Sequence, residues 1–192
     1  MSVTFIKWNK NGLCGAACAQ MVLHALFAIG TTKAVQKTVW TRIKKHTNGH
    51  STLTCTNVIF VPFANMIREA CASGQRVLCW GTYPTSLEAT LLDWIGPAAN
   101  VTLQRTGSED SANGIIQKCL KQGGIPIVLV SKGSHWVVVT GWDTEATKPV
   151  RVFDPAGTGP AELTVSYWNL FYMSAGDCGE FDNEFVVVEV NP

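Results

Sequence analysis

The sequence predicts an α+β fold, with N-terminal helices packed on a C-terminal antiparallel β-sheet. Three observations carry that expectation. The first half holds apolar runs at helical spacing, dense in small residues. The second half breaks into short β-branched and aromatic runs separated by Gly, Pro and Asp. At 46% hydrophobic and 15% charged residues, the chain favours a well-buried interior over disorder. There is no internal repeat, low-complexity tract or Pro/Ser-rich linker, so residues 1–192 read as one domain.

Val3 to Trp8 alternates weakly and predicts a short strand or an extended arm. Asn9-Lys10-Asn11-Gly12 is turn chemistry. A helix follows from Leu13 to about Ile29. Its small residues Gly15, Ala16, Ala17 and Ala19 let other elements approach the backbone, as expected of a central, surrounded helix. Thr31 or Thr32 caps a second helix that runs to about Lys45. Residues 47–56 read as a polar loop, 62–72 as a helix and 76–80 as a short strand. Thr85 or Ser86 caps the next helix, with Leu87, Leu91, Leu92 and Ile95 on one face. A strand over 101–105 precedes a helix over 108–122, which Gly123-Gly124 ends. The remaining strands are 125–131, 135–142, 149–153 and 185–190.

Composition also bounds the partners. Formal net charge is +1, and the most basic stretch, Arg42-Ile43-Lys44-Lys45-His46, reads as a solvated helix face rather than a nucleic-acid stripe. The Leu13–Ile29 helix is short and interrupted by Gln20 and His24, so no membrane span is expected. Met1 to Trp8 lacks the pattern of a signal peptide, so the expected location is the cytoplasm or export without a cleavable signal. The seven cysteines are odd in number and irregular in spacing, which reads as reduced thiols. Cys14 and Cys18 have a C-x3-C spacing, but neither a second Cys pair nor a close His pair completes a zinc site, so no metal is expected.

Chemistry concentrates at Cys14, in Asn11-Gly12-Leu13-Cys14-Gly15-Ala16-Ala17-Cys18. A thiol at a helix start feels the positive end of the backbone dipole, which favours the nucleophilic thiolate. Gly12 and Gly15 flank it and are expected to leave the sulfur accessible. First-turn N–H groups have no partners inside the helix and can face a developing oxyanion. Cys18, one turn deeper, reads as core. His135 opens the strand His135-Trp136-Val137-Val138-Val139 and stands where a base is commonly placed. Trp136 either shields that site or packs in the core. Asp154, in Val152-Phe153-Asp154-Pro155, follows at a hairpin-sized gap. It can accept a hydrogen bond from His135 Nδ1–H and fix the tautomer, or it can simply start a turn. Asp143 competes, but belongs better to the hairpin turn. His24, His46 and His50 are weaker bases by position.

Taken in order, these three segments resemble the papain-like cysteine peptidases, especially the bacterial C39-like branch. The residues that carry the likeness are Leu13-Cys14-Gly15-Ala16-Ala17-Cys18, Ser134-His135-Trp136-Val137-Val138 and Phe153-Asp154-Pro155-Ala156-Gly157, together with the strand Ile125–Val130. The C-G-[SA]-C-[WY] signature of plant and lysosomal papains is absent. The resemblance implies a papain-like fold and a Cys14-His135-Asp154 triad that hydrolyses peptide bonds through an acyl-enzyme, with no cofactor. It implies a peptide or protein substrate and, for an exported effector, an inhibitory or immunity partner. Such enzymes carry a Gln ahead of the nucleophile to complete the oxyanion hole. This chain has Trp8, Asn9 and Asn11 in that region, so Asn9 or Asn11 is expected in the role, with Asn9 favoured by spacing. The same Cys-His-Asp order also serves glutamine deamidases and transglutaminase-like acyl transfer. A catalytically degenerate peptide-binding module remains a third alternative.

Overall fold

The structure, a computed structural model, describes residues 2–8, 13–46, 82, 84–106, 108–130, 135–163 and 185–190. The helix and strand expected over 62–72 and 76–80, and the loop over 47–56, lie outside the described residues. The helices are α1 (Cys14–Phe27), α2 (Lys33–His46), α3 (Pro84–Ile95) and α4 (Glu109–Lys121), with a 3-10 turn at Gly96–Ala98. The strands are β1 (Ala99–Gln104), β2 (Ile125–Val130), β3 (His135–Trp142), β4 (Val150–Phe153), β5 (Pro160–Leu163) and β6 (Phe185–Val190). The strands form one six-stranded sheet in the order β1-β6-β2-β3-β4-β5, with every pairing antiparallel. This is the α+β class that the sequence predicts. Residues 2–8 form an extended arm rather than a strand.

Side-chain alternation sorts the sheet residues onto two faces. Ile127, Leu129, Trp136, Val138, Val186 and Val188 join the core beneath α1, α2 and α3. Val128, Val130, Val137, Val139, Phe185 and Val187 join a second core with Ala112, Ile116 and Cys119 of α4. Helices therefore cover both faces, with α1, α2 and α3 on one and α4 on the other. The strand sequences agree with burial on both faces, because Ile125-Pro126-Ile127-Val128-Leu129-Val130 is apolar throughout and buried at every position. Fully burying an Ile or Leu side chain contributes about 1.5–3 kcal/mol.

Helix α1 is buried from Cys14 through Leu23, all the way round. Its one buried amide is fully used. Gln20 Nε2 donates to Gly30 O at 2.9 Å and Thr32 O at 3.1 Å, and Gln20 Oε1 accepts from Gln36 Nε2 of α2 at 3.1 Å. At its far end Ala28 adopts a left-handed conformation, and its N–H bonds to His24 O. Ser108 caps α4 by accepting from Ser111 N–H, with Glu109 and Asp110 in the first turn and Lys118 and Lys121 in the last. Gly123, at φ +77°, turns the chain out of α4 towards β2.

Candidate active site

Cys14 is the first residue of α1. The preceding Leu13 makes no side-chain cap, so no side chain of the cap position claims the first-turn N–H groups. His135 is the first residue of β3, and Asp154 lies one residue beyond β4, the antiparallel neighbour of β3. The hairpin expected from sequence is present. Three side chains far apart in the chain come together: His135 hydrogen-bonds Asp154 at 2.7 Å, and Cys14 lies close enough to act on the electrostatics of the same ring.

The His135–Asp154 contact is 2.7 Å long and uses Nε2, not the expected Nδ1. Strand register explains the exchange. Val138 pairs with Phe153, so continuing the ladder puts Asp154 opposite Val137, two residues along from His135. A diagonal neighbour lies farther away than a direct one, and the distal ring nitrogen makes the reach. The same carboxylate oxygen accepts the N–H of Ala156 at 2.8 Å, so Asp154 starts a turn and holds the histidine at once.

The electrostatics follow from these contacts. Burial alone pushes the His135 pKa down. It is outweighed by the hydrogen bond to Asp154, then by the hydrogen bond to Cys14 and the charges of both partners, and the result is about 9. Burial pushes Asp154 up, but the bond and charge of His135 and the N–H groups of Ala156 and Gly157 hold it below the usual carboxylate range. Cys18 is fully buried. Burial, then the nearby charges of Cys14 and Asp154, raises its thiol well above the ordinary value, consistent with a core role. The raised value favours the protonated form of His135 beside the Asp154 carboxylate.

Accessibility departs from expectation. Cys14 is only 1% exposed, despite its neighbouring glycines, and it counts among the α1 core residues. The arm over 2–8 helps to enclose the site. Trp8 stacks edge-to-face with the His135 ring at 5.5 Å between centroids. Its backbone N–H bonds to Pro155 O at 3.0 Å, next to Asp154. Phe5 meets Phe153 edge-on at 5.8 Å, Ile6 enters the core, and Lys7 O accepts from Gln36 Nε2 at 3.1 Å. Trp8 and Gln36 were not singled out for this role by the sequence. The one available signal was an aromatic residue in the region where a polar donor was expected.

The other candidates fall elsewhere. Trp136 is core, with its indole N–H donating to Thr82 O at 2.8 Å. Asp143 lies in the β3–β4 turn, where its N–H bonds to Pro149 O and its carboxylate accepts from Glu145 N–H. His24 Nδ1 contacts Ile29 O at 2.6 Å at the end of α1. Asn9, Asn11 and His50 lie outside the described residues. Among the described residues no group of three or more His, Cys, Asp and Glu is arranged to hold a metal ion, and no helix is long and apolar enough to cross a membrane.

Neither a protein-family model nor a curated protein matches the sequence. Solved structures do match in shape. The chain is similar to a double-glycine-motif protease from an AMS/PCAT transporter in complex with the leader peptide, at 15% identity and a TM-score of 0.48, covering 99% of this chain and 93% of that one. It is also similar to the N-terminal peptidase C39-like domain of a toxin secretion ATP-binding protein from Vibrio parahaemolyticus, at 14% identity and a TM-score of 0.36, covering 70% of this chain and 100% of that one.

Proposed function

We propose that the chain is a cysteine peptidase with Cys14 as nucleophile, His135 as acid and base, and Asp154 as the residue that orients His135. The observation that carries this reading is the contact of His135 with both Cys14 and Asp154. A buried imidazolium beside a carboxylate and close to a sulfur is an expensive arrangement for a core whose only task is packing.

The cycle balances with these groups alone. His135 takes and holds the proton of the Cys14 thiol, the sulfur forms a bond to the carbonyl carbon of a peptide, and the carbonyl π-electrons move onto oxygen. First-turn N–H groups of α1 are suited to receive that oxyanion. As the C–N bond breaks, the His135 imidazolium gives its proton to the leaving amine. Neutral His135 then takes a proton from water, the resulting hydroxide adds to the thioester, and the C–S bond breaks to release a carboxylic acid product. Asp154 holds the ring in place and stabilises each imidazolium state. Because Cys14 is nearly enclosed, turnover requires local opening around the sulfur.

The same enclosure favours a second reading, a catalytically degenerate module that grips a peptide without cleaving it. Iodoacetamide labelling with mass spectrometry, run beside a peptide-library digest, separates the two. A peptidase labels at Cys14 faster than at Cys55 or Cys119 near neutral pH and loses all cleavage in Cys14→Ala. A binder holds peptides equally well with either residue and cleaves none. Ammonia release from glutamine without chain cleavage would instead assign the same residues to deamidation.

A further inference from the structure

We propose that Thr82 is a positioning residue, a wedge that sets the start of α1 against the start of β3 and so fixes the approach of Cys14 to His135. Thr82 is buried, with 4% of its surface exposed. Its side chain presses on Gly15 so closely that a Cβ there would overlap the Thr82 hydroxyl and come within 2.5 Å of Thr82 Cβ. Its backbone carbonyl accepts the indole N–H of Trp136 at 2.8 Å in the interior. Gly15 is the residue after Cys14 and Trp136 is the residue after His135. One residue therefore touches the chain neighbours of both members of the reacting pair.

The chemistry of the contact says what Thr82 supplies. Its hydroxyl is buried and has no hydrogen-bond partner among the described residues. An unpartnered buried hydroxyl is unfavourable, so the side chain acts by volume and the backbone acts by its carbonyl. Gly15 is the other half of the device, because only a residue without Cβ lets the wedge seat. This explains the glycine next to Cys14 by close approach rather than by access to the sulfur, which is enclosed.

The inference rests on Cys14 and His135 being a reacting pair, and the test separates the two claims. The readouts are the His135 imidazole titration by NMR and the pH dependence of Cys14 alkylation by iodoacetamide, neither of which needs a known substrate. In the wild type His135 is expected to titrate near 9. A wild-type value near 6.5 would overturn the reacting pair itself. Gly15→Ala is expected to lower the His135 value by about one unit or more and to slow alkylation up to about a hundredfold. Adding Thr82→Gly to that variant removes the overlap and is expected to recover most of both. Thr82→Val keeps the wedge without the hydroxyl and is expected to match the wild type. Should Gly15→Ala fail to fold, Trp136→Phe carries the test, because it keeps the ring but frees the Thr82 carbonyl. It is expected to slow alkylation several-fold. A folded Gly15→Ala, or a folded Trp136→Phe in its place, with wild-type titration and alkylation overturns the proposal. So does a double variant no better than Gly15→Ala alone.

Discussion

Two histidine–aspartate pairs in this molecule have the same contact and different surroundings. His46 Nε2 meets Asp93 Oδ2 at 2.7 Å between α2 and α3, and His135 Nε2 meets Asp154 Oδ1 at 2.7 Å between β3 and the turn after β4. The first pair is 29% and 52% exposed, the second 16% and 35%. Near the first pair Arg42 lies over the Trp94 ring at 4.4 Å, an arrangement of two helix surfaces. Around the second stand Cys14, close enough to act on the imidazole, a backbone N–H on the carboxylate and the Trp8 ring. The distance is the same in both; what separates them is a third reactive partner and lower exposure.

The comparison breaks most sharply at Cys14, which has no counterpart beside His46 among the described residues. Cys14→Ala is expected to lower peptide hydrolysis at least about a thousandfold, because the nucleophile of a triad is not replaceable by its neighbours. His46→Ala is expected to leave turnover unchanged. Rates on a peptide found by library digestion decide between the pairs. Comparable losses in the two variants would end the distinction drawn here.

Asp154→Asn comes next. An amide keeps the shape and loses the charge, and a related exchange in a Ser-His-Asp enzyme lowers turnover about 10⁴-fold. A fall of about 10²- to 10⁴-fold is expected here, with the His135 titration moving down from about 9. Asp93→Asn is expected to change neither quantity. An unchanged His135 titration in Asp154→Asn would show that the carboxylate is only a turn former.

Stability against pH sharpens the same contrast. His135 is raised in the folded state, from 6.5 to about 9. Its contribution is therefore fully present below about 6.5 and is lost as pH rises through about 9. The full shift corresponds to on the order of 3 kcal/mol. Asp154 is lowered, so its contribution is present above the ordinary carboxylate value and is lost as pH falls through the folded one. The two arise largely from one hydrogen bond and do not add. Denaturant titrations from pH 6 to 10 are expected to show stability falling on the alkaline side in the wild type and much less in His135→Gln. Parallel curves for the two would remove the coupling.

Sequence reached the fold class and the three meeting residues because each rests on a local signal. Cys14 sits at a visible helix start, His135 at a visible strand start and Asp154 at an Asp-Pro turn. What sequence did not reach is non-local. Periodicity marks α4 as a helix but does not say which face of the sheet it covers. Strand β5 begins with Pro160, is four residues long and, among the described residues, pairs with β4 at the sheet edge. That is where proline is tolerated and where strand signals are weakest. The choice of Nε2 over Nδ1 depends on a register that no residue pattern records. The contacts of Trp8 with His135, of Gln36 with the arm and of Thr82 with Gly15 and Trp136 are set by packing between elements distant in the chain.

The smallest expected effect tests the bland member of the comparison. Asp93→Asn removes an exposed charge from a pair whose partners both face water. Exposed pairs of this kind contribute about 0.2–1 kcal/mol, because solvent screens the attraction and ordering two side chains opposes it. Salt shortens the range of such attractions to about 3 Å at 1 M. The stability difference between wild type and Asp93→Asn is therefore expected to be at most about 1 kcal/mol at low salt and to shrink towards zero as salt is raised. The corresponding difference for Asp154→Asn is expected to persist, since that pair is more enclosed and its carboxylate is also held by the Ala156 N–H. Chemical denaturation of both variants in urea, at low and high salt, makes the measurement. A loss above about 2 kcal/mol in Asp93→Asn that survives high salt would place the surface pair in the same class as the buried one, well outside the exposed-pair range, and burial would no longer be what separates them.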